Sequence, residues 1–286
     1  MIAPGLPVHD THGVKLPPRY EIRVLTADLT NWITALSYFT HVFESPIWSP
    51  IYEGQQANAA LKAYHATKPF YEMPEMPTKN GLSYIVWDKE FVFKRAESAA
   101  KGGACYWEDF DLNDPDLEVN AEQKLFDAMD FPIVSFGNSF DKFVRGDPKG
   151  WEAANQALPL NGPIGKFYEA HDPRPKGSWE PTAAGQVIER CGTGTRNGYH
   201  NQGLMKGLAR FIMLEMKSRG YRAIEISCGA PQVHQMWAHP PKPFRGTTIG
   251  AFPTWFFEME EEGKKVRPYE KSKLANLFLV YTELLD

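Results

Sequence analysis

The segment from Gly185 to Cys228 restricts the possible folds more than any other part of this 286-residue chain. Residues 186–191 (QVIERC) alternate as a β-strand does, and a glycine-rich turn, Gly192 to Gly198, follows them. Apolar residues then recur at helical spacing from Leu204 to about Ser218, and residues 221–228 (YRAIEISC) have the pattern of another strand. This order predicts an α/β unit with a loop-to-helix junction open to a ligand.

The junction before this helix is a predicted anion site. The first main-chain N–H groups of a helix have no intrahelical partner and lie at the positive end of the helix dipole. A glycine such as Gly203 lets a pyrophosphate approach the main chain closely. Arg196 and Lys206 flank the junction and can add charge-assisted contacts. The residues alone therefore predict a phosphate-bearing ligand here.

Two other nucleotide-binding patterns fit this segment poorly. Gly192, Gly194 and Gly198 nearly match the dinucleotide fingerprint, which needs Gly-x-Gly-x-x-Gly at the start of a helix and an acidic residue about 20 positions later. Here the helix begins several residues after the last of these glycines, and no second parallel half follows. A P-loop is excluded because Gly-Lys-Ser/Thr does not occur.

Residues 199–208 (YHNQGLMKGL), the helix end at residues 219–222 (RGYR) and the strand after it resemble motif A of the GNAT (N-acetyltransferase) superfamily. That motif is written Arg/Gln-x-x-Gly-x-Gly/Ala, and His200, Gly203 and Met205 occupy its three defined positions, of which only Gly203 matches. The resemblance covers about residues 185–284, fits more loosely from Tyr20, and extends to fungal GNAT-like proteins with a long N-terminal half. It implies an α/β (α+β) fold, a mixed, mostly antiparallel sheet flanked by helices.

The resemblance also implies a cofactor and an activity. In the superfamily, main-chain N–H groups of the loop bind the CoA pyrophosphate, and the preceding strand pairs with the pantetheine arm. The implied cofactor-binding residues are Thr193, Gly194, Thr195, Arg196, His200, Asn201, Gln202, Gly203, Leu204, Met205 and Lys206. The implied activity is that of an acyl-CoA-dependent N-acyltransferase (EC 2.3.1), with acetyl-CoA or another acyl-CoA as donor and a small-molecule amine as acceptor.

Catalysis of this kind needs a base for the acceptor ammonium and an acid for the leaving thiolate. Glu189 lies on the strand before the motif, where the family often places a base, and an exposed strand carboxylate is the alternative. Many family members have a tyrosine as acid on the helix after the second strand, where this chain has Trp237. Tryptophan has no hydroxyl group that could donate a proton, so His234, Tyr199 or water is the candidate for the acid. A different, CoA-independent reaction on the same fold, or CoA binding without catalysis, stays open.

The rest of the chain predicts one domain, residues 19–286, with insertions, preceded by an extended arm, residues 1–18, in which His9 and His12 are solvated. We expect loops at residues 43–52, closing over a site, and at residues 155–182, beside the cleft. Asp28 or Thr30 is the expected cap of the first helix. The other predicted strands are residues 20–25, 82–87 and 90–94, and the other predicted helix is residues 54–65. The resemblance further implies a helix at residues 230–237 and strands at residues 247–259 and 275–284.

Composition narrows the classes of partner. A net charge of −4 argues against a broad basic face for nucleic acid or an anionic membrane. Three widely separated cysteines fit neither a zinc site nor a disulfide framework, and the acidic run from Asp109 to Asp116 lacks EF-hand spacing, so we expect no metal. The N-terminus does not have the pattern of a signal peptide, and no stretch approaches the roughly 20 apolar residues that span a bilayer. We expect a cytoplasmic protein, with its oligomeric state, a dimer included, left open.

Overall fold

The computed structural model describes residues 5–71, 76, 78–144, 152, 155–156, 158, 161–175, 177–272 and 275–284. Within these residues the strands are β1 (Leu6–Pro7), β2 (Tyr20–Val24), β3 (Tyr84–Asp88), β4 (Ala104–Cys105), β5 (Met129–Asp130), β6 (Ile133–Asp141), β7 (Val187–Thr195), β8 (Ala223–Cys228), β9 (Arg245–Pro253), β10 (Met259–Glu261), β11 (Lys264–Val266) and β12 (Asn276–Glu283). The α-helices are α1 (Thr30–Phe39), α2 (Trp48–Ile51), α3 (Gln56–Tyr71), α4 (Ala96–Lys101), α5 (Ala121–Asp127), α6 (Asn161–His171), α7 (Leu204–Ser218) and α8 (Pro231–Ala238).

Eight of these strands form one sheet in the order β1-β2-β3-β6-β7-β8-β12-β9. Every neighbouring pair in this sheet is antiparallel except β7 and β8, which are parallel. A parallel pair needs a crossover, and α7 supplies it between β7 and β8. The sheet is therefore mixed and mostly antiparallel, as the resemblance implied.

The central strand β3 shows how the sheet is held between two layers of helices. All five of its residues are buried, and successive side chains point to opposite faces. Ile85 and Trp87 join the apolar cluster that includes α1 and α3, whereas Tyr84 and Val86 join the cluster that includes α7. A strand covered on both faces has a continuous apolar run, and that is the pattern at residues 84–87.

The parallel pair β7–β8 separates part-way along its length. The two strands pair from Val187 and Ala223 as far as Arg190 and Ile226. Beyond that point β7 continues beside β6 to Thr195, and β8 continues beside β12 to Cys228. The register between β6 and β7 shifts at Cys191, which is the extra residue of a β-bulge and bends β7 where the two strands part. A V-shaped opening results in the middle of the sheet.

Helix α7 has the bounds that its apolar periodicity predicts. It buries Leu208, Phe211 and Ile212, among others, against the sheet. Its C-terminus is a Schellman motif, in which Gly220 N–H donates to Lys217 O and Tyr221 N–H donates to Met216 O. Gly220 has a φ of +87°, which favours glycine. The predicted helices at residues 54–65 and 230–237 and the strands at residues 20–25, 82–87 and 275–284 are also confirmed.

The N-terminal segment packs on the sheet and on α7. Leu6 and Pro7 pair with β2, and Val14 is buried in the same cluster as α7. His12 Nε2 lies 2.6 Å from Glu215 Oε2, and the His12 side chain is 20% exposed. The prediction that His12 is solvated is therefore wrong, because a partner on α7 holds its ring.

Four other local predictions are wrong. Residues 90–94 form no strand, because the main-chain N–H groups of Lys94 and Arg95 donate to the Asp130 carboxylate instead of a ladder. Neither Asp28 nor Thr30 caps α1, which follows a 3₁₀ turn at Ala27–Leu29. The predicted strand at residues 247–259 ends at Pro253, and a 3₁₀ turn follows. The predicted loop at residues 155–182 contains α6, and Pro159 lies outside the described residues.

In the part of the chain that the structure describes, no helix combines the length and the apolar character that crossing a bilayer requires.

Candidate functional site

Two adjoining cavities open where β7 and β8 separate. The strand cavity, about 570 Å³, is lined by residues 189–194 of β7, residues 226–229 at the end of β8, α6 and residues 37–48. The loop cavity, about 1090 Å³, is lined by Thr193–Thr195, residues 199–201 and 203, the first turns of α7, and α8. Glu44, Thr193, Gly194, Ala230 and Val233 line both. The cavities therefore form one cleft through the opening in the sheet.

The main chain of β7 faces this cleft beyond the point of separation. Arg196 N–H donates to Val134 O on the β6 side. Main-chain groups of successive strand residues alternate in direction, so those of Thr193 and Thr195 point to the other side, which β8 has left. Consistent with this direction, Thr195 O contacts His200 Nε2 at 2.7 Å rather than a strand neighbour. An extended ligand can pair with β7 here.

The predicted glycine turn at residues 192–198 is wrong over its first half, because β7 runs through Thr195. Gly194 is needed there for close approach. A Cβ at this position would lie 2.7 Å from Phe136 Cε1 and 2.8 Å from Thr40 Oγ1. The glycine lets Phe136 of β6 and Thr40, directly after α1, pack against the strand, and the turn comes only at residues 196–203.

The loop at residues 196–203 is anchored by side chains from the N-terminal part of the sheet. Tyr199 donates to Asp88 Oδ2 at 2.9 Å, and Arg19 donates to both oxygens of the same carboxylate at 2.7 and 2.6 Å. Burial opposes ionisation of Asp88, but these hydrogen bonds outweigh it and hold its pKa below the usual range. Tyr20 also donates to Gln202 Oε1 at 2.6 Å. The loop that starts α7 is therefore fixed before any ligand binds.

The loop cavity has the features of an anion site. Gly203, with φ +75°, precedes α7, and no side chain caps the first turn. The free N–H groups of that turn and the positive end of the helix dipole lie at the cavity. Lys206 and Arg210, four residues apart on α7, are exposed and line the same cavity. The predicted residues Asn201, Gly203, Leu204 and Met205 are brought together here with His200 and Lys206.

The position of the Arg196 side chain contradicts the prediction that it binds the cofactor. The side chain is 1% exposed, and its guanidinium donates to Phe131 O at 2.7 Å and to Met129 O. Burial lowers the pKa of Arg196 to about 10. The side chain turns away from both cavities because its partners are carbonyl oxygens in β5 and in the link from β5 to β6. Arg196 therefore fixes the loop from inside and does not face a ligand.

Two further side chains predicted for the cleft, those of Gln202 and His234, lie outside it. Gln202 contacts Tyr20 and Gly198 O instead of lining either cavity. His234 turns toward β9 and β12, where its Nε2 lies 2.8 Å from Thr248 Oγ1 and its ring stacks on Phe278 at 4.0 Å. Trp237 is buried in the core beneath α8. His234 is thus in the wrong place for the acid that the sequence suggested.

Glu44 lies at the junction of the two cavities and was not singled out by the sequence. Its Oε2 is 3.6 Å from His200 Nε2, and its Oε1 is buried without a hydrogen-bond partner among the described residues. Burial raises the pKa of Glu44 to about 7, with Glu122 adding to the rise and His200 opposing it. A carboxyl group that titrates near neutral pH in a cleft is a candidate general base.

His41 is the second residue that sequence reasoning missed. Its ring stacks on Trp48 with centroids 4.7 Å apart, and it lines the strand cavity. Burial lowers the pKa of His41 to about 3, so the ring is neutral at physiological pH. Both His41 and Glu44 belong to a π-helical turn, Thr40–Glu44, that extends α1. Such turns often occur at functional sites. The sequence pattern predicts a loop at residues 43–52 and does not predict this turn.

Glu189 and Cys228 line the strand cavity as well. Glu189 lies opposite Glu225 in the paired part of β7 and β8, one residue before the strands separate. Burial raises the pKa of the Cys228 thiol to about 12, so it is not a thiolate near neutral pH. Glu225 itself is paired with Lys142 and Arg174. Glu189 therefore stays a candidate base, and Cys228 has the properties of an inert thiol.

Among the residues that the structure describes, no group of three or more His, Cys, Asp or Glu side chains is arranged to hold a metal ion. The acidic run instead forms exposed turns, in which Asp111 and Asp114 accept hydrogen bonds from the main-chain N–H groups of Asn113 and Asp116.

The opposite placements of Arg196 and Lys206 give a direct test of this geometry. Arg196→Met should lower the free energy of unfolding by about 3 kcal/mol, because it removes a charged donor from two buried carbonyl groups. Lys206→Met, at an exposed position, should change it by less than about 0.5 kcal/mol. Urea unfolding of the two variants measures both values. Equal effects would contradict the buried role of Arg196.

No protein-family model matches the chain, and the search of curated proteins finds no significant sequence relative. Solved structures do match it. The C-terminal condensation domain of Ebony, solved with β-alanyl-dopamine, has a TM-score of 0.54 at 12% identity, over 94% of this chain and 100% of that domain. The putative arylalkylamine N-acetyltransferase 7 of the yellow fever mosquito Aedes aegypti has a TM-score of 0.50 at 7% identity, over 93% of this chain and 88% of that protein. The chain therefore has the mixed, mostly antiparallel α/β fold of the GNAT acetyltransferases, as the resemblance predicted.

Proposed function

We propose that this chain is an N-acyltransferase of the EC 2.3.1 class that transfers an acyl group from acetyl-CoA or another acyl-CoA to a small-molecule amine. The observation that carries the proposal is the continuous cleft between the separated ends of β7 and β8. One end of the cleft suits a phosphorylated donor, and a carboxyl group titrating near neutral pH lies where its two cavities meet. The fold similarity is consistent with this chemistry.

The residues of the loop cavity fit CoA. When bound, acyl-CoA supplies the acyl group as an activated thioester. The uncapped first turn of α7 offers main-chain N–H donors to a pyrophosphate, and Lys206 and Arg210 add positive charge. The cleft-facing main chain of Thr193 and Thr195 can pair with the pantetheine amides, as an added strand would.

Glu44 is the residue best placed to take the proton of the acceptor ammonium. It lines both cavities, so it faces the point where donor and acceptor meet. Its pKa of about 7 lets it be ionised at neutral pH and still accept a proton. The neutral His41 is too weak a base for this step, because its pKa is about 3.

We assign the Tyr168 hydroxyl as the group that donates a hydrogen bond to the leaving sulfur of CoA. Tyr168 lines the strand cavity, and its hydroxyl donates to Phe278 O at 3.3 Å. Burial raises the pKa of Tyr168 well above its usual value, so it stays protonated and can stabilise the leaving sulfur as a hydrogen-bond donor. Tyr199, the tyrosine that the sequence offered, is committed to Asp88 instead.

Gly203→Asp tests the donor site. The position has a positive φ, which Asp tolerates better than most residues, and a Cβ added there would meet no other side chain or main-chain atom within 4 Å, so the fold should persist. A carboxylate before α7 repels the pyrophosphate, and we expect CoA affinity to fall about tenfold or more. The matched control is Gly203→Asn, which has the same shape without the charge and should bind CoA more tightly than the Asp variant. Calorimetric titration with CoA measures all three proteins.

The same titration separates the alternatives that the sequence left open. Equal CoA affinity in the Asp and Asn variants would contradict the assignment of the pyrophosphate to this helix start. Binding of CoA by the wild-type protein without transfer to any amine would favour a CoA-binding protein. If the wild-type protein binds neither CoA nor acetyl-CoA, the chemistry on this fold is CoA-independent.

The base assignment predicts a pH dependence. Burial raises the pKa of Glu44, so its basic form is lost as the pH falls through about 7, and kcat/KM should rise with pH across that value. Glu44→Gln should remove this rise and lower kcat about 100-fold or more. Glu189→Gln is the matched control, because the sequence predicts Glu189 as the base. A pH–rate profile that keeps its rise in Glu44→Gln and loses it in Glu189→Gln would reverse the assignment.

The acceptor is proposed to be a small amine rather than a protein or nucleic acid, because the strand cavity is small and has apolar walls with polar side chains between them. The two matched structures named above concern β-alanyl-dopamine and an arylalkylamine N-acetyltransferase, which is consistent with such an acceptor. The fungal likeness, the cytoplasmic location and the dimer stay predictions from the sequence.

A further inference from the structure

The strand cavity has apolar walls with polar side chains between them. Ile47, Trp48 and Leu277 belong to one buried cluster at the cavity, and Phe136 and Val233 are also part of its apolar lining. Such walls favour a flat or compact apolar body and leave selectivity to the polar groups among them. His41 and Glu44 are two of these polar groups, and they come from the same π-helical turn.

His41 is held in one orientation by aromatic packing. Its ring stacks on Trp48 at 4.7 Å with an angle of 25° between the planes, and Trp48 in turn packs on Tyr52 and Tyr269. The residue is partly exposed, and it lines the strand cavity. An imidazole fixed in this way presents a hydrogen-bonding group in a fixed place.

The Nε2 atom of His41 is buried without a hydrogen-bond partner among the described residues. Buried polar atoms in proteins are nearly always bonded, so an orphaned nitrogen beside a cavity indicates that a bound molecule supplies its partner. The ring is neutral at physiological pH, so it gives no charge to attract or repel an ion. A hydroxyl group fits it in either tautomer, because a hydroxyl both donates and accepts.

Glu44 can bind a different group of the same ligand. It is three residues after His41, and its carboxylate attracts the ammonium group of an amine. The two side chains therefore favour a ligand that carries a charged amine and a neutral hydroxyl group, joined by an apolar body that can pack against the walls of the strand cavity.

We infer that His41 is a specificity-determining residue, which selects acceptor amines that carry a hydroxyl group on an apolar, aromatic body. This inference rests on the proposed N-acyltransferase function and adds the acceptor class. His41 binds the hydroxyl through Nε2, Glu44 holds the amine, and the aromatic body lies between the walls of the strand cavity.

The test compares amines that differ by one hydroxyl. Wild-type protein is assayed with acetyl-CoA and with phenethylamine, para-tyramine or meta-tyramine. Loss of one buried hydrogen bond corresponds to about a tenfold change, so the better tyramine should exceed phenethylamine by about tenfold or more in kcat/KM. His41→Phe keeps an aromatic ring on Trp48 and removes both nitrogens, so this preference should fall to near one, through a higher KM for the tyramine.

Two controls distinguish a specificity role of His41 from a purely structural one. His41→Phe removes an unbonded polar atom from a buried site, so its thermal unfolding temperature should not fall below that of the wild-type protein. His41→Gln places an amide nitrogen near the position of Nε2 and should restore part of the preference for the hydroxylated amine. A residue with a purely structural role would show no such rescue.

The other outcomes overturn the inference in distinguishable ways. Equal kcat/KM for the three amines, or a preference that survives in His41→Phe, removes the role of His41 and leaves the N-acyltransferase function standing. An equal loss of rate with all three amines in His41→Phe also overturns it, because the role is then independent of the hydroxyl. If acetyl-CoA binds and none of the amines is acetylated, the acceptor class is wrong. If acetyl-CoA does not bind at all, the proposed function fails and the inference fails with it.

Discussion

The cleft depends on the loss of pairing between β7 and β8 after Arg190 and Ile226. A parallel pair inside a sheet would continue unless something turned one strand aside, and the bulge at Cys191 does so. The Arg190 side chain is buried beside the bulge, where its guanidinium donates to Asn138 O at 2.9 Å and to Ser139 Oγ at 2.7 Å. These bonds tie the bent part of β7 to β6, so the opening is built into the folded sheet.

The helix start and the side chains that face the opening belong to elements whose positions are determined by the sheet. Helix α7 follows β7 as the crossover to β8, so its uncapped first turn necessarily lies at the opening. Helix α1 packs on the other face and ends in the π-helical turn that brings His41 and Glu44 to the same place. Burial there moves both pKa values toward the neutral forms, downward for the imidazole and upward for the carboxyl group. One sheet irregularity thus brings the proposed phosphate-binding end and the proposed proton acceptor, Glu44, into one cleft.

Local sequence pattern predicted the α7 region well and the distant contributions poorly. The periodicity from Leu204 and the glycine at position 220 define α7 because they act within a few residues. Gly194 was interpreted as a turn residue, although it serves the close approach of Phe136 and Thr40, which are far away in sequence. The direction of the Arg196 side chain depends on carbonyl groups at Met129 and Phe131, which no pattern near Arg196 encodes. His41 and Glu44 were missed for the same reason, since only the tertiary fold joins them to β7.

Amide hydrogen exchange of the wild-type protein, with and without acetyl-CoA, tests most directly whether the separated strands form the donor site. We expect slower exchange on ligand addition at the main-chain amides of Thr193 and Thr195 and in the first turn of α7, at residues 204–206, because these groups face the cleft. Protection confined to other parts of the chain, with these amides unchanged, would contradict the central claim.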